Sequence, residues 1–303
     1  MPTSENWIDY RRMYDNESYR EVLKAAAGMG KVFGPKQFIE PPSVGGPLDP
    51  RLSVSVVMTN FRRTCYLPYA LGSLGAQFEN LSNPRELVFV DDNSGDVGHG
   101  CEGVVRDFSA KSGWPTTFFQ TGKNITWNES LSANIGVKQA ANELLILNDA
   151  DTVLLGKGVE NILRIHSATP NLWLTPVARD LGEHNLDLKW ILDQEYVMGR
   201  PIGPCIMRYQ ASSVRRRFWV ECGGFNEDYL GWASIDDELF NELSKVGVVF
   251  SQVLEVNGED FPGPPEAQVP EARSERGRRP NRVPKGERAR LPETGYFWRV
   301  NYG

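Results

Sequence analysis

Residues 144–152 read Leu144-Leu145-Ile146-Leu147-Asn148-Asp149-Ala150-Asp151-Thr152. Four aliphatic residues that break into a doubly acidic turn describe a buried strand with charge at its carboxyl end. The same form occurs twice upstream. Ser53-Val54-Ser55-Val56-Val57-Met58 is a short β-branched run leading to Thr59-Asn60, and Glu86-Leu87-Val88-Phe89-Val90 ends at Asp91-Asp92. Between these strands the spacing predicts helices over 66–79, 98–111 and 129–142, with a further strand at Thr116-Thr117-Phe118-Phe119. Strands that alternate with helices in this way make a doubly wound, mostly parallel sheet. Such sheets bind ligands beyond the carboxyl ends of their strands, which is where the acidic pairs fall. No GxGxxG follows the first strand, so a dinucleotide cofactor is not indicated.

Downstream of Asp151 the pattern is less regular. A helix is expected near 157–167, strands near 172–177 and 204–209, and a helix from Gly231-Trp232-Ala233-Ser234-Ile235-Asp236-Asp237-Glu238-Leu239 to about Val246. Upstream, residues 5–28 read as a charged helix, and the breakers from Gly34-Pro35 to Pro50 read as a linker. Beyond Gly258 the composition turns Pro-, Gly- and Arg-rich, as in mobile segments. The expected organisation is an N-terminal helix and linker over 1–50, an α/β domain over 51–257 and a basic tail over 258–303.

Composition removes several classes. The 303 residues carry 33 Lys+Arg against 39 Asp+Glu, with 40% hydrophobic residues, which is ordinary for a globular protein. No run is long and apolar enough to cross a bilayer, and the N-terminus lacks the apolar core of a secretory signal. Cys65, Cys101, Cys205 and Cys222 lie far apart with no CxxC pair, which argues against zinc fingers and disulfide scaffolds and makes a reducing cytoplasm the expected compartment. The charge is unevenly placed: residues 271–303 hold nine Lys+Arg and four Asp+Glu, so a body of net −11 precedes a tail of net +5.

Three acidic clusters could carry chemistry. Asp149 and Asp151, one residue apart at a strand end, can share Mg²⁺ or Mn²⁺ and bridge it to a diphosphate; the same residues also suit a turn. Asp91-Asp92-Asn93-Ser94 can hydrogen-bond a nucleotide base or ribose, or form an Asx-rich turn. Gly223-Gly224-Phe225-Asn226-Glu227, followed by Gly231-Trp232 and Asp236-Asp237-Glu238, offers close backbone approach, an aromatic face for a sugar and a carboxylate base at a helix start. A tight turn, a core Trp and an acidic first turn fit those residues individually.

In this order, over roughly residues 52–250, the clusters resemble family 2 glycosyltransferases of the GT-A fold, a Rossmann-like, doubly wound α/β architecture. The likeness implies a nucleotide-sugar donor, with a UDP-sugar favoured, and inverting transfer to an acceptor hydroxyl. It implies donor contacts from Thr59, Asn60, Arg62, Asp91, Asp92, Asn134, Asp149, Gly223 and Gly224, with Thr59 and Asp92 at the base. Asn134-Ile135-Gly136 is similar to the family's N-x-G segment. Asp149 and Asp151 would hold Mn²⁺ or Mg²⁺, with Asp151 the more direct ligand. The segment from Gly231 to Leu239 resembles the GW-x-x-E-D-x-(D/E)-L motif, also seen in β-1,4-galactosyltransferases. It implies Asp236 as base, with Asp237 as the alternative, and Trp232 and Glu238 at the acceptor.

Two departures qualify the likeness. Ile235 stands where that last motif has Glu, which puts a standard amino-sugar acceptor in doubt. The downstream His that serves as a metal ligand in many relatives is absent, for His99, His166 and His184 all precede Asp236; coordination then rests on Asp149 and Asp151 with the diphosphate and water, or on a downstream carboxylate such as Glu259 or Asp260, unless the enzyme depends only weakly on metal. A glycan, a protein or a modified nucleobase would serve as acceptor, and a polyanionic one suits the basic tail. The tail also supports a second reading, in which the eight basic residues from Arg273 to Arg290 neutralise nucleic-acid phosphates, or fold over the site as a lid. Arg215-Arg216-Arg217 reads as a solvated run with the diphosphate as its other possible target, and the aromatic end Tyr296, Phe297, Trp298 and Tyr302 as a docked terminus.

Overall fold

In the computed structural model of the chain, the residues described are 37–39, 42–92, 100–121, 128–180, 200–201, 209–227, 235–260 and 298–302. The strands are β1 (Gln37–Phe38), β2 (Val54–Asn60), β3 (Arg85–Asp91), β4 (Thr116–Gln120), β5 (Leu144–Asp149), β6 (Thr152–Leu155), β7 (Leu172–Asp180), β8 (Arg200–Pro201), β9 (Ser212–Arg215), β10 (Val249–Asp260) and β11 (Trp298–Tyr302). The helices are α1 (Leu67–Phe78), α2 (Cys101–Ser112), α3 (Glu129–Gln139), α4 (Gly158–Ala168), α5 (Arg216–Cys222) and α6 (Ile235–Lys245), with a 3₁₀ turn over Thr64–Tyr66 leading into α1.

One sheet runs in the order β1-β10-β7-β9-β5-β2-β3-β4-β11, with β6 beside β10 and β8 beside β7. Strand β2 lies between β3 and β5, parallel to both, and β4 extends the parallel set. The chain therefore moves outward from β2 to β4, then returns to place β5 on the other flank of β2. That reversal opens a crevice at the carboxyl ends of β2 and β5.

Every residue of β2 is buried, and its alternation feeds two cores. Val54, Val56 and Met58 pack with Leu71, Leu74 and Phe78 of α1 and Ile162 of α4. Val57 faces the opposite core with Ile135 of α3, Trp219 of α5 and Phe240 of α6. Covering both faces is what requires the near-continuous apolar strands visible in the sequence.

Local chemistry sets the helix ends. Asn128 caps α3, its side chain accepting from the Leu131 amide. Helix α3 stops at Gln139, short of the expected 142, because other groups capture the chain: Glu86 accepts from the Ala141 amide and Ser55 Oγ from the Asn142 amide. Within α3, a Cβ on Gly136 would lie 2.4 Å from Val57 Cγ1, so only glycine lets this helix sit so close to β2.

Several expectations are revised. A strand was expected near 204–209; residues 202–208 lie outside the described set, Tyr209 is not in a strand, and the next strand is β9 at Ser212–Arg215. Residues 258–260, assigned to a mobile tail, belong to β10, where pairing with β6 on one side and β7 on the other satisfies the backbone whatever the composition. Residues 298–302 form β11, antiparallel to β4, and Tyr302 Oη donates to Glu102 at 2.5 Å. Arg215 is not solvated: it is buried, pairs with Glu143 and donates to the His166 carbonyl. It lies opposite Leu144, at the amino end of β5, and so at the far end of the sheet from the acidic turn. His166 is a core residue, 2.9 Å from Ser213 Oγ, and burial pushes its pKa down to about 3. The helix expected over 5–28 lies outside the described residues. Among those described, no helix is long and apolar enough to cross a membrane.

Gly136→Ala is expected to cost about 1–3 kcal/mol by overpacking against Val57. Gly103→Ala, in α2 with open space around its Cβ, should gain about 0.5–1 kcal/mol. Urea denaturation of both variants checks the contrast.

Candidate active site

The strand register assembles the acidic clusters. Thr59 pairs with Asp149, and Asn60 with Asp91, so the ends of β2, β3 and β5 meet in one place. Thr59 Oγ1 donates to Asp149 Oδ1 at 3.0 Å. Asn60 Nδ2 donates to Asp91 Oδ1 at 2.7 Å, and Gln120 Nε2 to Asp91 Oδ2 at 3.0 Å. Both acids of the Asp91-Asp92 pair are buried.

Asp92 accepts hydrogen bonds from two segments of the fold. Thr121 Oγ1 donates to its Oδ1 at 2.9 Å, and the Asn128 amide to its Oδ2 at 2.5 Å. Burial pushes this carboxyl up to about 7; the Asn128 amide and Thr121 hydroxyl pull it back, and the charge of Asp91 adds to the rise. Asn128 is thus a buried helix cap, and its Nδ2 donates onward to the Glu227 carbonyl at 3.1 Å.

The turn after β2 places a residue that the sequence reading passed over. Arg62 has φ +57°, and its guanidinium lies 5.1 Å from the centre of the Phe61 ring. The next residue, Arg63, is anchored by its amide donating to Asn60 Oδ1 at 3.1 Å. Its Nε then donates to Asp151 Oδ2 at 2.6 Å, in a pair only 20% and 16% exposed. Two adjacent arginines carry no sequence signal to separate them; the left-handed turn decides which one meets the acid.

A second polar cluster fixes the glycine-rich turn. Asn134 Nδ2 donates to the Phe225 carbonyl at 2.9 Å and to Glu227 Oε1 at 2.8 Å, while its Oδ1 accepts from the Phe225 amide at 3.0 Å. Gly223 closes α5 at φ +85°. Gly224, at φ +66°, has no room for a side chain, since a Cβ would stand 2.4 Å from Asn134 Oδ1. Asn226 Nδ2 lies 3.1 and 3.0 Å from the two carboxylate oxygens of Glu238, which ties this turn to α6. The backbone of Asp236 and Asp237 lies in the first turn of α6; their side chains fall outside the described set, as do Trp232 and the basic run from Arg273 to Arg290.

The acidic turn offers two hard carboxylates, Asp149 and Asp151, and among the described residues no group of three metal-binding side chains occurs. Two carboxylates suit a cation that draws its other ligands from water and a bound diphosphate, so the donor set fits Mg²⁺ or Mn²⁺ as a half-site. The backbone of Asp260 pairs with Thr152, the residue after Asp151, and that of Glu259 with Val153.

The model of glycosyl transferase family 2 matches residues 55–224. TarS of S. aureus superposes with TM-score 0.52 at 15% identity, over 71% of this chain and 37% of its own. The mannosyltransferase PcManGT from Pyrobaculum calidifontis, solved with GDP-Man and Mn²⁺, superposes with TM-score 0.52 at 14% identity, over 82% of this chain and 66% of its own. GalNAc-T7, solved with UDP, GalNAc and Mn²⁺, gives 0.52 at 15% identity, over 71% and 44%. The chain thus spans less than two thirds of the length of each. No curated protein matches the sequence. Similarity at these identities speaks for the fold, a mostly parallel α/β sheet of the GT-A type.

The raised Asp92 pKa has a sign that can be measured. The folded state holds this proton to higher pH than the unfolded chain, whose reference value is 3.8, so the stabilisation is full below that value and lost as pH rises through about 7. Asp92→Asn should be less stable than wild type at low pH, and the gap should narrow as pH rises from about 4 to about 8 in denaturant titrations.

Proposed function

The chain belongs to family 2 of the glycosyl transferases, and from that premise we propose that it moves a sugar from a nucleotide-sugar donor, a UDP-sugar first among them, to an acceptor hydroxyl with inversion at the anomeric carbon. One observation carries the reading: Thr59, Asn60, Asp91, Asp149 and Asp151, far apart in sequence, converge at the reversal point of the sheet. The Mn²⁺ and nucleotides bound to PcManGT and GalNAc-T7 agree with a diphosphate-bearing donor there.

In this reading Thr59 and the Asp91 end of β3 border the nucleoside, and Asp149 and Asp151 hold Mg²⁺ or Mn²⁺. When bound, the cation offsets the charge that develops on the departing diphosphate. The β6–β10 pairing makes Asp260 or Glu259 the candidate for a further ligand in place of the missing histidine. Asp236, with Asp237 as the alternative, takes the proton of the acceptor hydroxyl as its oxygen attacks the anomeric carbon; the bond to the diphosphate breaks on the opposite face. A single displacement of this kind inverts configuration and needs no second nucleophilic carboxylate.

Five residues expected at the donor or acceptor serve instead, in our reading, to hold the site in shape. Asp92 ties β3 to the cap of α3. Asn134 and Gly224 lock the turn that precedes Glu227, and Gly223 ends α5. Glu238, expected at the acceptor, is engaged by Asn226 and orients α6. The basic residues 273–290 suit a polyanionic acceptor, whether glycan, protein or modified nucleobase. The nucleic-acid reading rests on that same run and would add DNA binding to the transferase rather than replace it.

Calorimetry should show UDP or GDP binding that Mn²⁺ strengthens and that Asp149→Asn or Asp151→Asn weakens. Absence of binding by both nucleotides, with and without metal, overturns the proposal. Asp236→Asn should lower transfer by about 10²–10⁴-fold while donor affinity is kept. Unchanged turnover would move the base to Asp237.

A further inference from the structure

The acidic turn is already partly neutralised by the chain itself. Arg63 holds Asp151 through one guanidinium nitrogen, Nε, at 2.6 Å. Its Nη1 is buried and makes no hydrogen bond among the described residues. A guanidinium normally satisfies a carboxylate or phosphate through two parallel donors, so this one is bound by half of its fork. The backbone origin of the side chain is fixed, since the Arg63 amide is held by Asn60 Oδ1, and Asn60 is held in turn by Asp91. The pair is about four-fifths removed from solvent, so its Coulomb attraction is less damped than that of a surface ion pair.

We infer that Arg63 is an exchangeable counter-ion of the acidic turn: it holds Asp151 until a divalent cation takes that carboxylate, and its released guanidinium then binds the diphosphate of a nucleoside diphosphate. The inference rests on the proposed nucleotide-sugar site and extends it. A cation that takes Asp151 as a ligand draws on the same carboxylate charge that holds the guanidinium, so the two compete. A cation arriving alone must displace the arginine and leave a desolvated positive charge without its partner. A cation arriving with a diphosphate leaves the guanidinium a new anionic partner within reach of its anchored side chain. The turn therefore binds metal weakly by itself and strongly together with nucleotide, a coupling that linkage makes reciprocal. The exchange involves no covalent step, only the transfer of one ion-pair partner.

Binding of Mn²⁺, followed by the electron paramagnetic resonance signal of the free ion, tests this on the full chain. Without nucleotide, Arg63→Gln should bind Mn²⁺ at least about fivefold more tightly than wild type. With saturating Mn²⁺, the same variant should bind UDP or GDP more weakly, and the enhancement of Mn²⁺ binding by nucleotide should shrink. Arg63→Lys, whose compact ammonium lacks the fork, should fall between the two and carries the test if Arg63→Gln is poorly folded by circular dichroism. A folded Arg63→Gln protein that binds Mn²⁺ no more tightly than wild type overturns the exchange. Wild-type protein that binds neither nucleotide with Mn²⁺ overturns the glycosyltransferase reading instead, so the two failures are distinct.

Discussion

The amide of Asn134 is the contact on which the arrangement of the site depends. It projects from α3, a helix pressed against β2 by Gly136, and grips the turn after α5 by the Phe225 amide and carbonyl and by the Glu227 side chain. All its bonds are buried, where an unpaired amide would cost about 1–3 kcal/mol, so the grip enforces one conformation of that turn. Gly224 exists at this position because nothing larger fits beneath the amide. From the turn, Asn226 reaches Glu238 and sets α6. From the other end of α3, Asn128 links Asp92 to the Glu227 carbonyl. Through these polar bonds and the short turn 225–227, the proposed nucleoside end of the sheet is joined to the helix that carries the proposed base.

Charge is distributed along this framework by the same logic. The fold accommodates four carboxylates at neighbouring strand ends by giving most of them a donor: Asn60 and Gln120 for Asp91, Thr121 and Asn128 for Asp92, Thr59 for Asp149. Asp151 faces a full positive charge, that of Arg63. Neutral donors fix a carboxylate in place, whereas a guanidinium on a flexible stem can be replaced by a cation. On that chemical difference rests the proposed exchange at Asp151, beside Asp149, the other proposed metal ligand, which a neutral donor holds in place.

Much of the architecture was legible because burial on both faces leaves a strong trace. Strands β2, β3 and β5 are runs of apolar residues with polar ends, and their helices follow at regular intervals. The short or mixed strands left no such trace. Strand β9 is Ser-Ser-Val-Arg, and β10 passes through Asn257-Gly258-Glu259-Asp260; pairing partners from distant segments, not their own composition, make them strands. Arg215 misled for the same reason, since a run of three arginines predicts solvent until Glu143 and the His166 carbonyl are seen beside one of them.

The sequence by itself determined the family-like order of acidic clusters, the central parallel sheet and the positions of its strand ends, because hydrophobic periodicity and turn chemistry are local. Only the tertiary structure decided which partner each polar residue meets. Asp92, Asn134, Gly223, Gly224 and Glu238, which the sequence resemblance sets at the ligands, each meet a neighbour from the fold itself. Arg63 looks like one of an ordinary pair and meets the acidic turn. A hydrogen bond or ion pair is set by where two segments converge, to within a few tenths of an ångström, and that convergence comes from packing distant strands and helices together.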